Sequence, residues 1–85
     1  EIEAFLSALP GVARAAVLPR PDALRGVHLV AVLVGTVDEG AVLAACRAEF
    51  GALKAPRAVH FVDHWPVLAS GKTDLAGLEG ALGWR

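Results

Sequence analysis

The stretch Val27–Val34, Val-His-Leu-Val-Ala-Val-Leu-Val, decides the fold of this 85-residue chain. Its residues are apolar at odd and even positions alike, and His28 is the one exception. Because the side chains of a strand alternate between two faces, such a run is typical of a central strand that is covered on both sides. We therefore predict a sheet with this strand in the middle and helices on its faces.

The residues before this strand predict one helix and one further strand. Apolar residues at the helical spacing i, i+3, i+4, i+7 predict a first helix, which carries Ile2, Phe5, Leu6 and Leu9. Pro10-Gly11 is expected to end that helix. Val12–Leu18 is rich in Val and Ala and predicts a strand, which we expect Pro19–Asp22 to break.

The residues after the central strand predict two helices and a third strand. Asp38 is a suitable N-cap for a helix that runs through Phe50 and ends at Gly51. Ala58–Val62 predicts a short strand, and Asp74 is positioned to cap a last helix. The predicted fold is therefore α+β, with a small three-stranded sheet, helices packed on its faces and the order αββαβα.

Charge and composition exclude several classes of protein. Lys and Arg total 8 and Asp and Glu total 9, which gives a net charge of −1. A nucleic-acid binder or an anionic-membrane binder would carry a basic excess. A disordered acidic tail is excluded because 55% of the residues are hydrophobic.

Length and cysteine content suggest where the protein acts. A single cysteine forms no internal disulfide, and the nearly uncharged run Val27–Val37 is too short to span a bilayer. We expect one domain over residues 1–85, no transmembrane segment and a cytoplasmic location. The chain has no Met and begins within a predicted helix, so we expect it to be part of a longer protein.

Two groups of residues resemble a P-loop and a zinc site, but their sequence context argues against both. Gly71-Lys72-Thr73 is similar to the end of a P-loop, but Pro66 stands where that motif needs glycine. Cys46, His60, Asp63 and His64 include the zinc-ligand types. The two histidines are predicted on a strand and in the loop after it, so they do not share a helix face, and we expect no metal ligands.

Ser70-Gly71-Lys72 is the strongest candidate for a functional loop. Glycine gives the backbone unusual freedom, and lysine presents a compact positive charge that suits phosphate or carboxylate oxygens. A merely solvated lysine remains the alternative from these residues alone.

At this loop the chain resembles a known family, the C-terminal domain of the adenylate-forming enzymes. That superfamily includes acyl-CoA synthetases, peptide-synthetase adenylation domains and luciferases. The resemblance covers nearly the whole chain and rests on Glu1-Ile2-Glu3, Val12–Val17, Pro21-Asp22 with Gly26, Leu53–Arg57 and Pro66–Lys72. It departs from the family pattern at Val27, usually Glu, at Leu53, usually aromatic, and at Thr73 and Leu75, commonly Ile or Val and Arg.

The resemblance implies the mobile C-terminal domain of an ATP-dependent, AMP-forming ligase of fatty or aryl acids. A carboxylate would attack the α-phosphate of ATP in the presence of Mg²⁺, and the thiol of CoA or of a carrier protein's phosphopantetheine would then take the acyl group. Lys72 would be the catalytic lysine, with Gly71, Ser70 and Lys54 as cofactor-binding candidates. The implied partners are the protein's own N-terminal domain, a carboxylic acid, and CoA or an acyl carrier protein, with no nucleic acid.

The resemblance and the residues leave some roles open. We expect a structural role for Lys54 more than a catalytic one, turn formation by Asp22 and Gly26, and anchoring of the loop base by Trp65. A non-catalytic regulatory or protein-binding module is the alternative function. An adenylating domain that lacks the thioester step is another.

Overall fold

The computed structural model describes residues 1–24 and 26–84. Its elements are α1 (Ile2–Ser7), β1 (Val12–Asp22), β2 (Gly26–Gly35), α2 (Glu39–Phe50), β3 (Ala58–Phe61) and α3 (Leu75–Ala81). The three strands form one sheet in the order β1-β2-β3, with β1 antiparallel and β3 parallel to the central strand. The predicted α+β class and element order are confirmed.

The central strand β2 is covered on both faces, as its sequence predicts. On one face Ala31 and Leu33 pack with buried residues of α1 and α2, among them Leu6 and Cys46. On the other face Val32 packs with Leu78 of α3. The alternation of a strand therefore divides the core in two, and the second half lies beneath the C-terminal part of the chain.

Strand β1 is longer than its sequence suggests, and the predicted break at Pro19–Asp22 is wrong. Pro19 pairs with Leu29 and Pro21 pairs with Val27 in the ladder. β1 is an edge strand, and the N–H of Val17 donates outward to the Glu3 carboxylate at 3.2 Å. Residues 19 and 21 share the orientation of residue 17, so both prolines lie where an N–H would face away from β2, and no ladder bond is lost.

Both helices that follow a strand, α2 and α3, begin at the caps that the sequence predicts. The Asp38 carboxylate accepts from the N–H of Ala41 at 2.9 Å, and the Asp74 carboxylate accepts from the N–H of Gly77 at 3.0 Å. α2 ends at Gly51, whose φ of 83° is unfavourable for other residues. β3 ends at Phe61, one residue earlier than predicted, although the N–H of Val62 still donates to the Leu33 carbonyl at 3.0 Å.

The end of α3 folds the chain back over the sheet. The N–H groups of Gly83 and Trp84 donate to the carbonyls of Gly80 and Glu79 at 3.1 and 2.8 Å, with Gly83 at φ 77°. This is a Schellman motif, which satisfies carbonyls at the helix end. It places the Trp84 ring 4.0 Å from the Arg20 guanidinium and edge-on to His60, so that the tryptophan joins both edge strands over the second core cluster.

Candidate functional site

The loop that carries Lys72 is a tight β-hairpin that follows β3 and precedes α3. Val67 and Thr73 form an antiparallel bridge, and the N–H of Leu68 donates to the Lys72 carbonyl at 2.7 Å. The N–H of Gly71 donates to the Leu68 carbonyl at 2.8 Å, and Gly71 has φ 90°. A turn followed by a left-handed residue is a common three-residue hairpin, and it explains why glycine stands at this position.

The base of this hairpin is fixed to the domain by Trp65, as its position next to Pro66 predicts. The indole Nε1 of Trp65 donates to Thr73 Oγ1 at 3.0 Å, and the ring packs on the cluster that contains Val32 and Leu78. The N–H of Asp74 donates to the Pro66 carbonyl at 2.9 Å. The hairpin therefore projects from an anchored base.

Lys72 itself projects into solvent. Its side chain is exposed, as is Ser70 beside it. Within residues 1–24 and 26–84 the ammonium group forms no ion pair, whereas both ion pairs found there involve Asp22. An unpaired ammonium group on a hairpin is available to bind an anionic ligand. The structure brings Ser70, Gly71 and Lys72 together in one turn.

Lys54 lies in a different turn, between α2 and β3. The segment after it is anchored, since Ala55 and Pro56 are buried and the N–H of Arg57 donates to the Leu29 carbonyl at 2.8 Å. Lys54 is exposed and precedes β3, whereas the Lys72 hairpin follows it. The two lysines therefore belong to separate turns that flank the same strand along the chain.

Asp22 joins the turn between β1 and β2 to this second segment, which the sequence did not predict. One oxygen of its carboxylate accepts from the N–H of Leu24 at 3.0 Å, which confirms the predicted role in the turn. The other oxygen accepts from Arg57 Nη1 at 2.9 Å and lies 3.6 Å from His28 Nδ1. The Asp22 side chain is only 6% exposed, so its carboxylate is a buried link between two segments.

The structure places Cys46 in the core and Gly71-Lys72-Thr73 in a hairpin. Cys46 is fully buried in the core, and burial raises the pKa of its thiol. In the described part of the chain, no group of three or more His, Cys, Asp or Glu side chains is arranged to hold a metal ion. Gly71-Lys72-Thr73 forms part of a hairpin rather than a strand-to-helix loop, and its threonine hydroxyl accepts from Trp65, so a P-loop is excluded.

Comparison with known proteins shows the family. The family model described as the AMP-binding enzyme C-terminal domain matches residues 1–72, so its match ends on the hairpin lysine. An acetyl-coenzyme A synthetase of Deinococcus radiodurans is 41% identical over 76 residues, which cover 85% of this chain and 12% of that protein. This chain belongs to the AMP-binding enzyme C-terminal domain family.

Solved structures show the same fold. ATP-bound MatB from Rhodopseudomonas palustris superposes with a TM-score of 0.84 at 31% identity, over 99% of this chain and 18% of that one. A fatty acyl CoA synthetase of Mycobacterium tuberculosis gives a TM-score of 0.84 at 29% identity, over 94% of this chain and 16% of that one. The chain thus spans less than a fifth of the length of each of these relatives. None of the helices in the described residues is long and apolar enough to cross a membrane.

Proposed function

We propose that residues 1–85 are the mobile C-terminal domain of an ATP-dependent, AMP-forming ligase of fatty or aryl acids, and that Lys72 is its catalytic lysine. The exposed ammonium group of Lys72, which has no ion-pair partner among residues 1–24 and 26–84, carries this proposal together with its anchored hairpin. Family membership supports the ligase class, and the small share of each relative that the chain covers supports a large N-terminal domain as its partner.

In the first step, a carboxylate oxygen of the acid attacks the α-phosphorus of ATP. A new oxygen–phosphorus bond forms while the bond to pyrophosphate breaks, which gives an acyl-adenylate. Negative charge is shared between the incoming carboxylate and the phosphate oxygens, and Lys72 would donate hydrogen bonds to them. A well-placed donor in a closed site contributes about 3 kcal/mol, or a rate factor on the order of 10².

In the second step, the thiol of CoA or of a carrier protein's phosphopantetheine attacks the acyl carbonyl, and AMP leaves. In the first step Lys72 would lie beside the adenylate, where the thiol must later approach. The domain would therefore rotate and withdraw Lys72 before the thiol enters. The hairpin suits such a movement, because its anchors all lie within this domain and it moves with the domain as one piece.

The cofactor contacts divide between the two domains in this proposal. Ser70 and Gly71 would lie beside the nucleotide with Lys72, while Lys54 serves mainly the turn before β3. Mg²⁺ and most of ATP would be bound by the N-terminal domain. Residues 1–85 alone are therefore expected to form no acyl-adenylate.

The two half-reactions test the role of Lys72 in the full-length enzyme. Lys72→Ala is expected to lower ATP–pyrophosphate exchange at least a hundredfold, yet to transfer a supplied acyl-adenylate to thiol at the normal rate. Lys54→Ala is the matched control, an exposed lysine in another turn, and it should retain exchange. Normal exchange in Lys72→Ala would overturn the assignment and favour a non-catalytic module.

A further inference from the structure

We propose that Trp65 and Thr73 form a brace that sets the direction of Lys72, so that both are positioning residues for acyl-adenylate formation. This inference rests on the proposed role of Lys72. It concerns a residue at which this chain departs from the family resemblance, since Ile or Val is common at the position of Thr73.

The geometry of the hairpin couples Thr73 to Lys72. The two residues are adjacent on the returning side of the hairpin, where Thr73 bridges to Val67 and the Lys72 carbonyl accepts from the N–H of Leu68. Thr73 is half-buried and turned toward Trp65, whereas Lys72 is exposed. Holding the threonine against the domain therefore holds the lysine away from it.

The hairpin has few other constraints on its orientation. Its ladder consists of the Val67–Thr73 bridge and the Leu68–Lys72 bond, and a short hairpin is only marginally stable in water without further packing. Val67, Leu68 and Leu75 around it are about half exposed. The Pro66–Asp74 backbone bond fixes one point of the base, and a single point leaves rotation free.

The brace supplies the second point of attachment. The Trp65 ring packs against the cluster that Ala16, Leu18, Val32 and Leu78 form, and these residues belong to β1, β2 and α3. Its Nε1 donates to Thr73 Oγ1 at 3.0 Å in a part-buried site, where water competes less for the bond. A valine at residue 73 would keep the shape of the side chain but leave this donor without an acceptor.

Variants of the full-length enzyme test the brace through its two half-reactions. Thr73→Val removes the acceptor of the hydrogen bond and keeps the size of the side chain, and Trp65→Phe removes the donor and keeps a smaller aromatic ring. Each is expected to lower the kcat of ATP–pyrophosphate exchange about tenfold with little change in KM, since misplacement of a reacting group acts on the bound state. The double variant should lose no more than either single variant, because both remove the same contact.

Three controls separate positioning from general stability. Thr73→Ser keeps the hydroxyl and should restore exchange, and Thr36→Val makes the same change at an exposed threonine and should have no effect. Thiol transfer from supplied acyl-adenylate should stay normal in all variants. Wild-type exchange in Thr73→Val overturns the brace, and so does a parallel loss of both half-reactions.

A measurement that does not depend on catalytic activity distinguishes failure of this inference from failure of the proposed function. Hydrogen exchange of the Trp65 indole proton, assigned by its loss in Trp65→Phe, is expected to accelerate at least threefold in Thr73→Val. Unchanged exchange of that proton would overturn the brace even if Lys72→Ala is inactive. Normal pyrophosphate exchange in Lys72→Ala would instead overturn the proposed function, and with it the role of the brace in catalysis.

Discussion

In each of two turns of this domain a glycine has a positive φ, but the two turns differ in how they use their charged residue. Gly26 has φ 82° in the turn between β1 and β2, and Gly71 has φ 90° in the hairpin of Lys72. A Cβ at either glycine would meet no atom within 4 Å, so backbone conformation alone requires glycine there. The first turn contains Asp22, which is paired with Arg57, whereas the second presents Lys72, which has no ion-pair partner in the described part of the chain.

The difference lies in what each charge contacts. The Asp22 carboxylate is buried and bonded to Arg57 and to the N–H of Leu24, so it joins two segments of the fold. Lys72 is exposed and forms no ion pair with the described residues, while its neighbour Thr73 forms the anchoring contact. Charges that build a fold are paired inside it, and a charge left unpaired on a braced hairpin is available to a ligand.

The largest expected effect on stability is at Asp22. Asp22→Ala removes the acceptor of Leu24 and the partner of Arg57, and should lower the local opening free energy of the β1–β2 turn by about 2 kcal/mol. Asp22→Asn retains an acceptor oxygen and should lower this opening free energy less. Amide hydrogen exchange along β1 and β2 measures this change. An equal loss at the Lys72 hairpin would show that the two turns are not independent.

A smaller loss of stability is expected when either of the two glycines is replaced by alanine. Gly26→Ala and Gly71→Ala each force an L-residue into the left-handed region, at about 1 kcal/mol, with no steric clash to add. Only Gly71→Ala should also slow ATP–pyrophosphate exchange in the full-length enzyme. Comparable slowing by Gly26→Ala would remove the functional distinction between the turns.

The smallest effect on stability is expected at Lys72. An exposed side chain away from packing and buried bonds changes stability by less than about 0.5 kcal/mol when it is truncated. The unfolding transition of Lys72→Ala should therefore coincide with that of the wild type, although its exchange activity is expected to fall at least a hundredfold. A destabilisation as large as that of Asp22→Ala would assign Lys72 a structural role.

Local signals in the sequence predicted most of the fold. The two-sided apolar run of β2 indicated a central strand, and Asp38 and Asp74 indicated helix starts, because these patterns depend on near neighbours in the chain. The end of β1 could not be predicted in the same way. Pro19 and Pro21 break a central strand, but they fit an edge strand with the right register, and that register depends on pairing with β2.

The contacts around the candidate site also differ in whether their residues are near or far apart in the chain, and only the near ones were predicted. The Lys72 loop and its Trp65 anchor lie within eight residues of one another, and the sequence indicated both. The Asp22–Arg57 link joins residues 35 positions apart, and periodicity carries no signal for it. The sequence did single out His28 within the apolar run, and the structure places its Nδ1 beside that same carboxylate.

The outward side of β1 also affects how this domain meets other chains. An edge strand with free N–H groups is a template on which a foreign strand can pair and start aggregation. From residue 17 to residue 21, the first outward N–H is bonded to Glu3, and the next two outward positions are prolines, which have none. A strand laid along this stretch would meet carbonyl groups without matching donors. The edge is thus closed to strand addition by two imino acids and one carboxylate, so this small sheet presents its antiparallel edge to other chains without offering them a template.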